Sequence, residues 1–134
     1  MGGIYTATRA SLARMSDPTP PAKIVNLRDS AAAPITNDGA SGTFGQPLLE
    51  MAEGKGNFEF RVVSIRPGGV SANHEHAWEQ ANYVLSGTGT VALGDEVHAV
   101  GPADFVYVPP NVRHVFVNTG ATDLALLSAL GPRG

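Results

Sequence analysis

The chain contains no cysteine, which removes disulfide frameworks and thiolate metal sites together. Any metal would have to be held by imidazole, carboxylate, amide or water. No basic run is present, and 9 Lys and Arg against 12 Asp and Glu give a formal net charge of −3. Such a chain offers little electrostatic footprint to a phosphate backbone, so nucleic-acid binding is disfavoured. No apolar run approaches the roughly 20 residues needed to span a bilayer, and the N-terminus lacks the ordered regions of a signal peptide. A cytoplasmic protein with no membrane partner is the expectation. No Ser sits in a Gly-x-Ser-x-Gly elbow, and with Cys also absent no nucleophilic triad is visible. Amphipathic helical stretches of three turns are missing after residue 22, which argues against a parallel sheet with crossover helices.

What the chain does have, over its 134 residues, is 16 Gly and 10 Pro. That length holds one domain with a real core. Residues 1–22 are rich in small residues and end in the proline cluster Pro18-Thr-Pro-Pro21, and they read as an extended arm preceding the domain. Ile4–Met15 could form a short helix with a thin apolar stripe, and the arm could cross a dimer interface or fray. From Lys23 to the end the pattern is a series of short apolar or alternating runs. Examples are Ile24–Leu27, Pro47–Met51, Phe58–Ile65, Tyr83–Leu85, Thr90–Leu93, Phe105–Val108 and Leu124–Leu130. Gly, Pro, Asn and Asp clusters such as Gly54-Lys-Gly56, Gly87-Thr-Gly89 and Gly94-Asp95 bound them, which is hairpin punctuation. Beta-branched and aromatic residues at this rhythm predict an all-β sandwich or barrel.

Two of only four histidines are His74 and His76. On an extended strand residues i and i+2 share a face, so both imidazoles would converge, as metal ligands do. Their surroundings extend the pattern. Gly68, His74, His76, Gln80 and Gly87 are separated by five, one, three and six residues, and Pro109, Asn111, His114 and Asn118 by one, two and three. Over residues 68–118 the chain resembles the cupin superfamily, whose first motif is Gly-x5-His-x-His-x(3,4)-Glu-x6-Gly and whose second is Gly-x5-Pro-x-Gly-x2-His-x3-Asn. Motif one falls on 68–87 and motif two on 103–118. The chain departs from the pattern at Gln80, where Glu is usual, and at Ala103 and Asn111, where Gly is usual. Asn111 suits a left-handed turn. Glu79 would point to the face opposite the histidines.

The resemblance implies a double-stranded β-helix, a small jelly-roll barrel over residues 23–134, with one divalent transition metal held by His74, His76, Gln80 and His114. Three imidazoles and an amide leave the full double charge on the ion and raise its Lewis acidity. Zn, Ni, Mn, Fe, Co and Cu all suit such ligands, so the donor set does not name the metal. Arg61, Trp78, Asn82 and Phe116 are candidates for the substrate cavity. Asn82 and Val84 share the parity of Gln80, Phe116 shares that of His114, and Tyr83 should face outward or towards a partner sheet. Arg66 is a further cation beside the strand, and His98 reads as a plain strand residue. No general acid or base is assigned. The expected function is metal-dependent isomerisation, cyclisation, decarboxylation or lyase chemistry on a small keto, enol or hydroxy compound. The alternatives are an iron or copper dioxygenase and a non-catalytic sugar- or metabolite-binding module. A homodimer is expected.

Overall fold

A computed structural model of the chain describes residues 22–50 and 58–132. The proposed arm, apart from Ala22, and the Gly54-Lys-Gly56 turn lie outside these residues. Nine strands follow one another among the described residues: β1 (Ala33–Ile35), β2 (Ser41–Leu49), β3 (Glu59–Val70), β4 (Gln80–Ser86), β5 (Gly89–Leu93), β6 (Glu96–Val100), β7 (Phe105–Val108), β8 (His114–Asn118) and β9 (Leu124–Leu130). Every pairing is antiparallel, in the order β6-β5-β8-β3-β9-β4-β7, with β2 on β3 and β1 on β2. The long strand β3 serves both halves of the curled sheet: its first part pairs with β9, and its end, at Val70, pairs with β8. No helix among the described residues is long and apolar enough to cross a membrane.

The period-two pattern of the sequence becomes the inside and outside of this barrel. Along β9, Leu124, Leu126, Ser128 and Leu130 are buried while the residues between them are partly exposed. Val63 and Ile65 from β3, Val84, Val91, Val106, Val108 and Phe116 complete the apolar core with them. Burial of these side chains is the main driving force, about 1.5–3 kcal/mol for each large aliphatic or aromatic residue. On β4 the inward positions are Gln80, Asn82 and Val84, and Tyr83 is 43% exposed, as the parity argument predicts. Two of those three inward residues are polar, so the apolar interior gives way to buried amides at the start of β4.

Turn chemistry explains the loops. Gly87 takes φ +83, and a Cβ there would collide with the carbonyl of Asp123, so only glycine closes this corner. Asn111 adopts φ 64 and Ala103 φ 73. Asn bears the left-handed conformation readily, whereas Ala bears it at a cost. Asn118 is buried and donates through Nδ2 to the carbonyls of Ile65 (2.7 Å) and Thr122 (2.8 Å), while its Oδ1 accepts from Gly120 N (2.8 Å). It therefore locks the end of β8 to β3 and to the following turn.

One expected strand does not form. Ile24–Leu27 leads into a 3-10 turn over Leu27–Asp29, because the Asn26 side chain accepts from Arg28 N (2.9 Å) and offers the backbone a local alternative to a ladder. Ile24 is fully exposed there. Conversely, the run beginning at Pro47 is only the end of β2, which starts at Ser41 and includes Gly42 and Gly45. Those glycines carry none of the β-branched side chains by which a strand is recognised in sequence.

Candidate metal centre

Beyond β3 the chain continues antiparallel beside β8, with Ser71 N donating to Phe116 O (2.9 Å). His74 N donates to His114 O (3.3 Å) and His114 N to His74 O (2.9 Å), an isolated antiparallel bridge. Asn111 N donates to His76 O (2.7 Å). The two sequence motifs are thus stitched backbone to backbone, and this stitching brings their histidines together. The same-face expectation for His74 and His76 holds, although on a bridged extended segment and not on a regular strand. The three ring centroids stand 4.8 to 5.0 Å apart in every pairing. One ring nitrogen from each of His74, His76 and His114 can be chosen so that all lie within 4.8 Å of one another, a grouping able to hold a metal ion.

The hydrogen bonds decide which nitrogens these are. His114 Nδ1 lies 2.9 Å from Val112 O, His76 Nδ1 2.9 Å from Trp78 O, and His74 Nδ1 3.3 Å from an oxygen of Asp38. In His114 and His74 the acceptor takes the proton on Nδ1 and leaves the Nε2 lone pair for a ligand, whereas His76 has an acceptor at each nitrogen, Trp78 O and Gln80 Oε1, and offers Nε2 in the tautomer protonated at Nδ1. His114 Nε2 is buried and has no hydrogen-bond partner. A buried polar atom left so is costly unless something binds it, and a metal ion would satisfy it.

Gln80 is buried at the start of β4, with Oε1 3.1 Å from His76 Nε2. Its amide has one orientation. Asn82, fully buried, turns Nδ2 towards Val106 O (3.5 Å) and accepts at Oδ1 from Ser128 Oγ (2.7 Å) and Gln80 Nε2 (3.0 Å). With its NH2 committed to Asn82, Gln80 must aim its oxygen at the histidines. With the His76 proton on Nε2 this contact is a hydrogen bond; with the proton on Nδ1, donated to Trp78 O, two electron pairs face each other and a shared cation would relieve them. Glu79 turns away, accepting from Tyr107 Oη at 3.0 Å outside the barrel.

Burial favours the uncharged form of His114 and His74. Desolvation lowers the His114 pKa from 6.5 to about 4, with its bond to Val112 O opposing and the neighbouring His74, His76 and Arg113 adding to the decrease. His74 is lowered too, first by burial and then by the neighbouring His76, with Asp38 opposing. Neutral rings with free lone pairs are the form a metal requires.

A cavity of about 600 Å3 opens in front of the three rings. The candidates Arg61, Trp78, Asn82 and Phe116 all line it. Phe116 forms its apolar wall with Val63, Leu126 and Leu130. The Trp78 ring stacks on His76 at 4.6 Å and 4°, which holds that imidazole from the side. Arg61 stands close enough to His74 to disfavour a proton on it. Arg66 is turned elsewhere, its guanidinium 4.4 Å above the Phe44 ring, and His98 is an exposed strand residue bonded to Glu96. Asp38, Ser128 and Arg113 also line the cavity, and the motifs did not point to them. Only Asp38 carried a local signal, as part of an Asn-Asp-Gly turn between two strands.

Comparison with known proteins agrees with this geometry. The model of the cupin domain family matches residues 61–130, from the first half of β3 to the end of β9. The chain is 36% identical over 72 residues to protein SchB of Streptomyces halstedii, covering 53% of this chain and 52% of that one. Over 73 residues it is 34% identical to the mannose-1-phosphate guanylyltransferase RfbM of Salmonella typhimurium, covering 53% of this chain and 15% of that one. The match thus spans about half the length of SchB and a much smaller share of RfbM. Among solved structures, the polyketide cyclase RemF of Streptomyces resistomycificus superposes with a TM-score of 0.77 at 26% identity, over 84% of this chain and 81% of the other.

Proposed function

The chain belongs to the cupin domain family, and from that premise we propose that it is a metal-dependent enzyme acting on a small keto, enol or hydroxy compound. The observation that carries the reading is the convergence of one ring nitrogen from each of three imidazoles, with His114 Nε2 buried and unsatisfied. His74, His76 and His114, with Gln80 through Oε1, would hold one divalent transition metal. Bound there, such an ion supplies a Lewis acid that polarises a carbonyl and stabilises developing enolate charge.

The rest of the work falls to the chain. Val63, Phe116, Leu126 and Leu130 give the substrate an apolar wall and exclude water from one side of the site. Asn82 and Ser128 keep the Gln80 amide from rotating. Arg61, a permanent cation in the cavity wall, suits an anionic or enolised group on the substrate. Similarity to the polyketide cyclase RemF supports ring closure of a polyketone as the first of the Lewis-acid reactions to assay, ahead of isomerisation, decarboxylation and lyase chemistry.

The test combines elemental analysis of the purified protein with turnover of poly-keto substrates before and after chelation. Metal content near one per chain, and turnover that disappears with the metal and returns with it, is the expected result. A chain that neither contains nor takes up a divalent metal would sink the proposal, and oxygen uptake with iron or copper would redirect it to an oxygenase.

We also propose a homodimer. Supporting it are Tyr83, Leu85, Phe105 and Tyr107, all more than 40% exposed on the outer face of β4 and β7. Native mass spectrometry at micromolar concentration would show a dimer; monomer alone would exclude it.

A further inference from the structure

Asp38 precedes the residues matched by the family model and belongs to neither histidine motif. It lies in the 3-10 turn Asn37–Gly39 that joins β1 to β2, with φ 51 and ψ 38. That left-handed conformation is uncommon for residues with a side chain, Asp and Asn being among those that take it most readily, and the surroundings help to hold it. Here the surroundings are the metal-site segment itself. Asn73 N donates to Asp38 O (3.0 Å), which ties the turn to the residue preceding His74. Asn37 Nδ2 donates to Asp38 Oδ2 at 3.0 Å, and the same oxygen lies 3.3 Å from His74 Nδ1. The carboxylate is therefore held from behind by Asn37 and presented to the histidine.

The three rings differ in what they face. Nδ1 of His76 and Nδ1 of His114 each face a backbone carbonyl, which is neutral, whereas Nδ1 of His74 faces a carboxylate. The donor side chains assigned to the metal, three imidazoles and one amide, carry no charge between them. A dication placed among them would keep its full charge unless another group answered it.

We propose that Asp38 is a positioning residue of the metal centre: through His74 it fixes one ligand ring and supplies the negative charge that the ligands themselves lack. The proposal rests on the metal reading given above. A carboxylate behind a ligating histidine sets its tautomer and raises its basicity, and its loss weakens metal binding about 10- to 100-fold. The residue reaches the site from a hairpin outside the matched domain, so the β1–β2 hairpin becomes part of the metal centre.

The experiment compares the full chain with Asp38→Asn and Asp38→Gly, each freed of metal by chelation and titrated with Co2+. Asn tolerates the left-handed backbone and keeps an oxygen that can accept from Nδ1–H, so it removes the charge alone. Gly removes charge and acceptor while relieving the backbone. The expected result is a Co2+ dissociation constant raised about 10-fold in Asp38→Asn and further in Asp38→Gly. The visible Co2+ absorption should change as well, with the melting temperature of metal-free Asp38→Asn within about 2 °C of the parent. Co2+ binding by Asp38→Asn within twofold of the parent would overturn the proposal. So would a metal-free melting temperature that falls in step with affinity, since the effect would then be one of folding. If the parent itself fails to bind Co2+, the metal reading falls and this proposal with it; tight binding by parent and variant alike overturns this proposal alone.

Discussion

Replacing His114 by Asn tests the electrostatics of the centre without disturbing its scaffold. The Asn side chain is placed to keep donating from Nδ2 to Val112 O, the bond that His114 Nδ1 makes at 2.9 Å, but it has no Nε2 and does not titrate. In the parent, burial lowers the His114 pKa from 6.5 to about 4. Between those values the unfolded chain carries a proton on this ring and the folded chain does not. Stability must therefore fall as the pH drops through this window, and it is at its full value above 6.5. Every tenfold difference in proton affinity between the folded and unfolded chain is worth about 1.4 kcal/mol, so His114 alone can withdraw up to roughly 3 kcal/mol on the way down to pH 4. His74, lowered in the same direction, adds slope that survives in the variant. The assay is urea unfolding in EDTA at half-unit steps from about pH 7.5 to 4, the range that brackets the window. The expected outcome is a curve for His114→Asn that is flatter on the acid side, together with loss of metal uptake. An unchanged acid slope would refute the claim that this ring is buried neutral.

Other consequences are open to measurement. Ala103 sits at φ 73 with its residue surface exposed, so Ala103→Gly relieves left-handed strain and should stabilise by about 1 kcal/mol, net of the added freedom of the unfolded chain. This would raise the melting temperature by about 2–4 °C, and a decrease would show that the turn is not strained. Asn82→Ala strands Gln80 Nε2 and Ser128 Oγ in the interior. It should cost about 1–3 kcal/mol in chemical denaturation and weaken metal binding in calorimetry, because the Gln80 amide is then free to turn; unaltered affinity would argue that Gln80 is no ligand. Trp78 is the single Trp of the chain and stacks on His76 at 4.6 Å. Its fluorescence should be quenched stoichiometrically by Cu2+ or Co2+ and far less by Zn2+, and equal insensitivity to all three would place the ion elsewhere.

Much of this was legible because two periodicities coincide. Alternation along Gln80–Ser86, His114–Asn118 and Leu124–Leu130 exposes the inside of a β-barrel, and the spacing of His74, His76 and His114 lies on that inside. Single-chain reasoning could also place Asn82 and Phe116, since parity alone decides their face. It could not find Asp38, which meets His74 only because the β1–β2 hairpin folds back over the site across 36 residues of sequence. Nor could it find Ser128, whose role depends on the register that sets it opposite Asn82 across β4 and β9. The missed start of β2 has a local cause: Gly42 and Gly45 lack the side chains by which strands are recognised, yet Gly45 makes room for Ile35 of β1, whose Cδ1 would stand 3.1 Å from a Cβ there.

The backbone bridge between His74 and His114 joins positions 40 residues apart in the chain. A metal ion coordinated by both would make that junction a cross-link, and would close in the unfolded chain the same loop that a disulfide between these positions would close. By chain entropy alone a loop of that length is worth about 4 kcal/mol, provided that the ion stays on both rings when the sheet opens. A protein without a single cysteine would then carry a removable staple, present or absent with the metal supply, and its lifetime against proteolysis would rise and fall with that supply.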